Sequence, residues 1–526
     1  MFETESVVNF FNQLVYTSEQ GMVHPGLSVG WVLVILALML VIIARNLFAP
    51  SIVRHGMTNS IINAPIIGEY FKAAIRKPLI LVGMRIFTAA VFLLVIYAGL
   101  FGSAIAERNL ATTLTWTLWW SGVVISVFFV GSAWCAICPW DALASWLVKR
   151  RWWKRGSATS SLNLRVPKMF RSIWPALLMF VVLTWLELGV GVTTSPYATA
   201  LLALLMVVLA TVSLAIYERK AFCRYFCAVG RTLGAYSSMA PVALRPVDNA
   251  VCASCKTLDC YHGNSDVEPC PTHLVMGRIT QSTYCTSCGA CVMSCPHENI
   301  NWQLRSVGSE ITHATRPHWD EAWFILGLVA LTLFHGFTMM PYWEDWMRQL
   351  AVYIGDSGKL LGSFSIGMFV GVMLPVLLYT AVVGVTWKLL NKADEFKRVF
   401  SSLAFSILPL AFSYHLAHNL THLVRESHGF WSVVLNPLGT GTLPLSMQEL
   451  HYRHMNPLIS NDVVYILQGG LVVFGFWLAL NIAGQRLQKL SRSASGMLVS
   501  LPILLFITTF SLVSLWLLMQ PMIMRM

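Results

Sequence analysis

The chain has 526 residues, 56% of them hydrophobic and only 11% charged, and its 36 Lys and Arg against 24 Asp and Glu leave a net charge of +12. A soluble globular protein of that composition would expose apolar surface everywhere, so the composition excludes that class and indicates a polytopic membrane protein. All twelve cysteines fall in closely spaced groups, which reads as metal in a reducing compartment rather than the disulfide framework of a secreted protein.

The first 27 residues carry Glu3, Glu5 and Glu19 and no Lys or Arg, so a cleavable signal peptide, which needs a basic start, is not expected. Apolar stretches long enough for a hydrocarbon core of about 30 Å follow at 28–48, 79–101, 113–134, 169–190 and 198–217. Five more lie at 322–341, 361–387, 399–423, 463–485 and 496–520, ten candidate helices in all. Alternate loops are basic: Arg45, Arg54, Lys72, Arg76 and Lys77; Lys149, Arg150, Arg151, Lys154 and Arg155; Arg219, Lys220 and Arg224; Lys388, Lys392, Lys397 and Arg398; Arg486, Lys489 and Arg492. The other loops carry little beyond Arg108, Arg348, Arg425 and Arg453. The positive-inside rule then places the basic loops in the cytoplasm and both termini in the periplasm of a bacterial-type inner membrane. The +12 charge is thereby accounted for by topogenic, lipid-facing residues, and nucleic acid is not an expected partner.

Between the fifth and sixth helices lies a polar segment, residues 241–318, on the cytoplasmic side by the same rule. It contains "CTSCGACVMSCP", in which Cys285, Cys288, Cys291 and Cys295 precede Pro296. That is the spacing with which a loop wraps a [4Fe–4S] cube. A looser run supplies Cys252, Cys255, Cys260 and Cys270, followed by Pro271. In two-cluster ferredoxins the fourth Cys of each run ligates the other cluster. One cluster is therefore expected on Cys252, Cys255, Cys260 and Cys295, the other on Cys270, Cys285, Cys288 and Cys291. Structural zinc also takes four thiolates, but it has no need of the third close Cys or the trailing Pro.

The remaining cysteines sit at membrane edges. "WCAICPWDALA" places Cys135 and Cys138 at the inner end of the third helix, and "ERKAFCRYFCAVGRTLGAYS" places Cys223 and Cys227 just after the fifth. Two pairs at one depth are expected to converge on a further cluster, another metal centre or a redox-active thiol group. These two stretches, followed by a two-cluster segment, resemble the membrane-bound polyferredoxins of the NapH/NosR group and the related CcoG proteins, over residues 80–305. That family typically carries two C-x-x-x-C-P motifs at the membrane. Here the first motif is one residue shorter, and Ala228 replaces the Pro of the second. A flavin domain like that of NosR is not expected ahead of the first helix. The resemblance implies electron transfer between the cytoplasmic or quinone side and a periplasmic partner.

Residues 320–526 lie outside the resemblance. In "SYHLAHNLTHLVRESHG", His415, His418 and His422 are spaced i, i+3 and i+7 and share one helical face. His335 in the sixth helix lies at a similar depth. Ionisable side chains inside a membrane are costly and usually functional, so a haem b held by His335 and His415 or His418 is expected, with His422 facing a quinol head or a partner. His428, His451 and His454 with Met447 and Met455 offer a softer, outer metal site. C-x-x-C-H and G-x-x-x-x-G-K-[ST] are both absent, which excludes attached c-type haem and P-loop ATP chemistry.

The expectation is thus an all-α membrane protein of about ten helices with an inserted cytoplasmic two-cluster ferredoxin-like domain. Residues 1–240 form a five-helix domain with the Cys pairs, 241–318 the ferredoxin-like domain, and 319–526 a second five-helix domain with the His group. The expected activity is transmembrane electron transfer between the clusters, or quinol, and a periplasmic redox protein, as a subunit of an oxidoreductase complex. The alternative is a copper reductase, transporter or assembly factor for a metalloenzyme.

Overall fold

An apolar run in a bilayer has no water to bond its backbone, so each run closes into a helix that satisfies its own N–H and C=O groups. A computed structural model describes residues 26–48, 57–60, 77–150, 161–391, 395–490 and 497–522. Among the described residues, nine helices are long and apolar enough to cross a membrane. Arg54, Lys72, Arg76, Arg151, Lys154, Arg155, Lys392, Arg492 and the three early glutamates lie outside them, as do the side chains of His454 and Met455.

The helices used below are α1 (Val29–Phe48), α2 (Pro78–Phe101), α3 (Trp120–Val130), α4 (Pro139–Lys149), α5 (Trp174–Trp185), α6 (Pro196–Ile216) and α7 (Ala228–Ser237). Beyond the polar segment come α8 (Trp319–Thr338), α9 (Pro341–Ile354), α10 (Leu361–Leu389), α11 (Phe396–Glu426), α12 (Asn461–Leu490) and α13 (Met497–Met519). The fourth expected span is the short one. Its apolar helix runs over Trp174–Val190, starting at a proline and closing in a π turn, Leu186–Val190, that stops at Gly191 with φ +78°. Two further π turns carry site residues: Thr113–Trp119 leads into α3, and Phe222–Phe226 precedes α7. Such turns are rare and collect at functional sites, because the extra residue re-aims its neighbours.

The two halves of the helical bundle share one core. Phe128 of α3 stacks on Phe412 of α11 with centroids 6.4 Å apart, and Phe180 of α5 stacks on Phe324 of α8 at 6.1 Å. α11 is buried along nearly all of its length, Phe400, Leu403, Ala404, Ile407 and Ala411 being inaccessible. α12 approaches it closely at Gly475, where a Cβ would meet Ser413 Cβ at 2.6 Å and the Pro409 carbonyl at 2.9 Å. α2 and α10 instead leave Leu79, Phe87, Phe101, Phe369 and Leu374 exposed, as helices facing lipid do.

The polar segment is capped by a three-stranded antiparallel sheet ordered β1–β3–β2, with β2 at Val242–Pro246, β3 at Ile300–Arg305 and β1 at Met57–Ser60. Leu244 pairs with Trp302, so β2 and β3 clamp the ends of the cysteine-bearing stretch. Ser60 pairs with Gln303, so the segment also draws a strand from between α1 and α2. Glu310 ties the sheet to the following π turn: it accepts from Arg245 at 2.5 Å, pairs with Arg305, and accepts from the Ser282 amide at 2.5 Å. Basic side chains from several loops grip this segment. Lys149 meets Glu268 at 2.7 Å, Arg219 donates to the Cys270 carbonyl at 2.9 Å, and Arg486 donates to the Ile311 carbonyl. At the opposite end Arg108 and Arg453 both pair with Glu449.

Candidate functional site

Within the polar segment, Cys252, Cys255, Cys260 and Cys295 line one small void, together with Pro296, His297 and Gly277. The short helix Asn249–Ser254, capped by Asp248 accepting from the Ala250 amide at 2.7 Å, presents Cys252. Two sulfurs receive donors from Asn299: its side-chain amide reaches Cys252 Sγ and its backbone N–H reaches Cys295 Sγ, each at 3.4 Å. The Leu258 backbone N–H lowers the Cys255 thiol below its usual range. Cys285 and Cys291 are buried with Leu244, Met276, Val292 and Ile300. Burial pushes Cys285 up to about 11. Cys291 is raised well above its ordinary value, by burial first and then by the neighbouring Cys288, Cys285 and Cys270. Backbone amides again face sulfur: Leu274 N–H lies 3.3 Å from Cys270 Sγ and Ser287 N–H 3.4 Å from Cys285 Sγ.

At the membrane edge, Cys135, Cys138, Cys223 and Cys227 line a second void. Cys135 sits in a turn at Trp134–Ile137, Cys138 starts α4, Cys223 lies in the π turn and Cys227 starts α7 with the Gly230 amide 3.3 Å from its Sγ. Cations crowd this void. Lys220 binds Asp141 at 2.5 Å, Arg85 lies 4.0 Å from Asp141, and Arg231 donates to the Cys223 carbonyl at 3.0 Å. Three cations against one carboxylate leave a positive surround, which suits an anion such as a tetrathiolate cluster.

Among the described residues no three His, Cys, Asp or Glu stand close enough to hold a single metal ion. A cubane asks for something else. Its thiolates attach to separate irons at the corners, so they surround a space instead of meeting at a point, and N–H donors to the sulfurs tune it. The quartets of Cys252, Cys255, Cys260 and Cys295 and of Cys135, Cys138, Cys223 and Cys227 each line such a space, and in the remaining one Cys285 and Cys291 share a buried cluster with N–H donors on Cys270 and Cys285.

The second and third quartets are joined by short links. Arg231, 1% exposed, donates to the Thr283 carbonyl at 2.9 Å and to the Cys223 carbonyl, and Ser132 Oγ donates to the Cys285 carbonyl at 2.5 Å. Glu321 of α8 holds the same run from the other side, accepting from Thr283 at 2.6 Å and Gln281 at 3.1 Å. Beyond the third quartet opens a large apolar cavity of about 410 Å³. Trp134, Pro139, Trp140, Ala228 and Val229, the immediate chain neighbours of the quartet, line one end, and Trp116, Thr199 and Glu187 line it farther along. Trp134 Nε1, Trp140 Nε1 and Thr232 Oγ1 have no hydrogen-bond partner.

The histidines come together but not as expected. His335 and His418 pack edge to face, centroids 5.2 Å apart, and His418 and His422 do the same at 4.9 Å. His415 turns away to the Tyr236 hydroxyl, 3.1 Å from its Nδ1. Two haem ligands must point at iron from opposite faces of a flat macrocycle. Rings in edge contact leave no room for one, and the neighbouring cavity of about 90 Å³ is far below the ~300 Å³ at which ligand pockets begin. The arrangement does not fit the expected haem b. In the outer loop His428 Nε2 is 2.8 Å from the Asn456 carbonyl, and His451 and Met447 are exposed. Asp141, Arg231 and Glu187 went unread in the sequence. Glu187 carried a signal, being a carboxylate inside an apolar run.

The chain is 26% identical over 142 residues to a protein of Escherichia coli (strain K12) named "Putative electron transport protein YccM". The match takes in 26% of this chain and 37% of that relative's length. No protein-family profile matches the chain, and no solved structure does.

Proposed function

We propose that this membrane protein transfers electrons between a quinone in the 410 Å³ cavity and a soluble partner that docks on the cysteine segment. The observation that carries the reading is an order: two quartets in the segment, a third at the bundle edge bridged to the second by Arg231 and Ser132, then a cavity lined at one end by the third quartet's chain neighbours. The likeness to YccM supports the general electron-transfer role.

Cys252, Cys255, Cys260 and Cys295 would hold one [4Fe–4S] cluster, Cys270, Cys285, Cys288 and Cys291 a second, and Cys135, Cys138, Cys223 and Cys227 a third. Such clusters supply one-electron relay. The chain's own residues set its conditions. Arg85, Lys220 and Arg231 stabilise negative charge at the membrane edge, and the Asn299, Leu274, Ser287 and Gly230 N–H groups donate to sulfur. The tryptophans give the cavity flat apolar walls, with indole N–H groups left for carbonyl acceptors. With no seat for haem between the histidines, the reading narrows: the exchange runs between membrane quinone and the cytoplasmic side, within a larger oxidoreductase assembly.

Iron and acid-labile sulfide in anaerobically purified protein should each approach about twelve per chain, three cubes of four. Replacing Cys223 with Ser should remove about four of each and leave the two-cluster signal of the segment. Zinc in place of iron, or iron unchanged in that variant, would overturn the assignment.

A further inference from the structure

Glu187 is the one acidic side chain among the residues lining the large cavity. It also lines the smaller cavity of about 90 Å³, together with Glu107, Thr117, His335, Asn419, His422, Glu426 and Arg453. Polar groups follow one another from there. His335 Nδ1 lies 3.7 Å from Glu187 Oε1. The His335, His418 and His422 rings touch in turn, His422 Nδ1 lies 2.8 Å from Glu426 Oε1, and Thr117 donates to Glu426 Oε2 at 2.7 Å. Glu107, in a 3₁₀ turn at Ala106–Arg108, and Arg453, in a short helix at Met447–Met455, belong to the end of the bundle opposite the cysteine segment.

Two of these histidines are short of partners. Both ring nitrogens of His418 and Nε2 of His422 have none, though the residues are only 2% and 8% exposed. Each such group left dry costs about 1–3 kcal/mol. His422 lines the small void and can meet water there, 90 Å³ having room for about three molecules at ~30 Å³ each, and His418 is reached through its ring contacts with His335 and His422. A row of carboxylates and imidazoles beside a polar void, running from an apolar cavity toward the far end of the bundle, has the parts of a proton path.

We infer that Glu187, His335, His418, His422 and Glu426 carry protons between the quinone cavity and the bundle end opposite the cysteine segment. This rests on the quinone reading above. When a hydroquinone is oxidised, its two O–H bonds break and it becomes the quinone. Its two electrons leave one at a time toward the cysteine segment, to two equivalents of a one-electron acceptor there. Its two protons leave through Glu187 to the opposite side. Reduction of quinone runs the same steps backward. Electrons and protons therefore part at the cavity, and turnover moves charge across the membrane.

The test uses the full chain in vesicles, inserted with the cysteine segment outward, a pH dye inside, decylbenzoquinol as donor and ferricyanide outside as acceptor. Protons should appear inside. Glu187→Gln should slow their appearance by about a hundredfold, the low end of what a lost proton-transfer group costs. In Glu426→Gln, whose carboxylate is not part of the cavity wall, quenching of the cavity tryptophans by decylbenzoquinone should change by less than about twofold. Glu426→Gln, which does not line the quinone cavity, should slow lumenal release in the same way and covers a folding failure of the first variant. Unchanged release in both, or protons appearing outside in the wild type, overturns the path alone. Absence of quenching in the wild type overturns the quinone reading and the path with it.

Discussion

His273 stands in the polar segment, and burial, with Arg219, Arg224 and Arg171 around it, lowers its pKa from 6.5 to about 4. Between those values the unfolded chain binds a proton that the folded chain does not, so stability falls as pH drops from 6.5 toward 4 and is untouched above 6.5. The side chain is partly exposed, and screening reduces the effect to the order of 1 kcal/mol. The thermal midpoint of the wild type should therefore fall measurably between pH 7 and pH 5, and His273→Gln should flatten that slope; an identical slope in the variant refutes the attribution. Single residues also show where sequence reading stops. Lys220 reads as one of many topogenic cations. Only its 2.5 Å contact with Asp141, beside the quartet void, makes it part of a site.

At the scale of elements, α7 is positioned by a glycine. A Cβ on Gly234 would lie 2.1 Å from the Thr283 carbonyl oxygen, so only Gly lets α7 lie against the backbone that leads into Cys285. Gly234→Ala should shift that backbone, cost about 1–3 kcal/mol as overpacking does, and lower the iron content. Gly484 of α12 has open space around it, and its change to Ala should be neutral or stabilising by up to ~1 kcal/mol through helix propensity. Unfolding curves and iron assays on both variants decide this, and equal behaviour of the two would count against close packing at Gly234. The π turns belong to this scale as well. Thr113–Trp119, Leu186–Val190 and Phe222–Phe226 hold Trp116, Glu187 and Cys223. No periodicity announces them, since one inserted residue leaves a helical pattern almost intact.

For the whole molecule, the ten apolar stretches and alternating basic loops produce two unlike ends. One bears the cysteine segment with Lys149, Arg219 and Arg486 fastened to it, the other bears Glu449 with Arg108 and Arg453. A reporter fused after Gly308 should be active only in the cytoplasm, and one fused to the C-terminus only outside. An external signal after Gly308 would invert the positive-inside assignment and with it the direction of proton release.

Composition and spacing alone determined that this is a helical membrane protein, because nothing soluble tolerates such hydropathy and because backbone groups in lipid must bond within their own helix. They also suggested grouping Cys252, Cys255, Cys260 and Cys295, four residues that line one void in the fold. The tertiary structure decided what each helix does. α2 and α11 read alike as apolar runs, yet one faces lipid and the other is the buried axis of the bundle. It decided that His335 and His418 touch edge to face, which helical spacing cannot say, because spacing fixes a face but not the rotation of the neighbouring helix toward it. And it decided where the cavity lies, because a cavity is space left between elements remote in the chain, and no local pattern of residues encodes it.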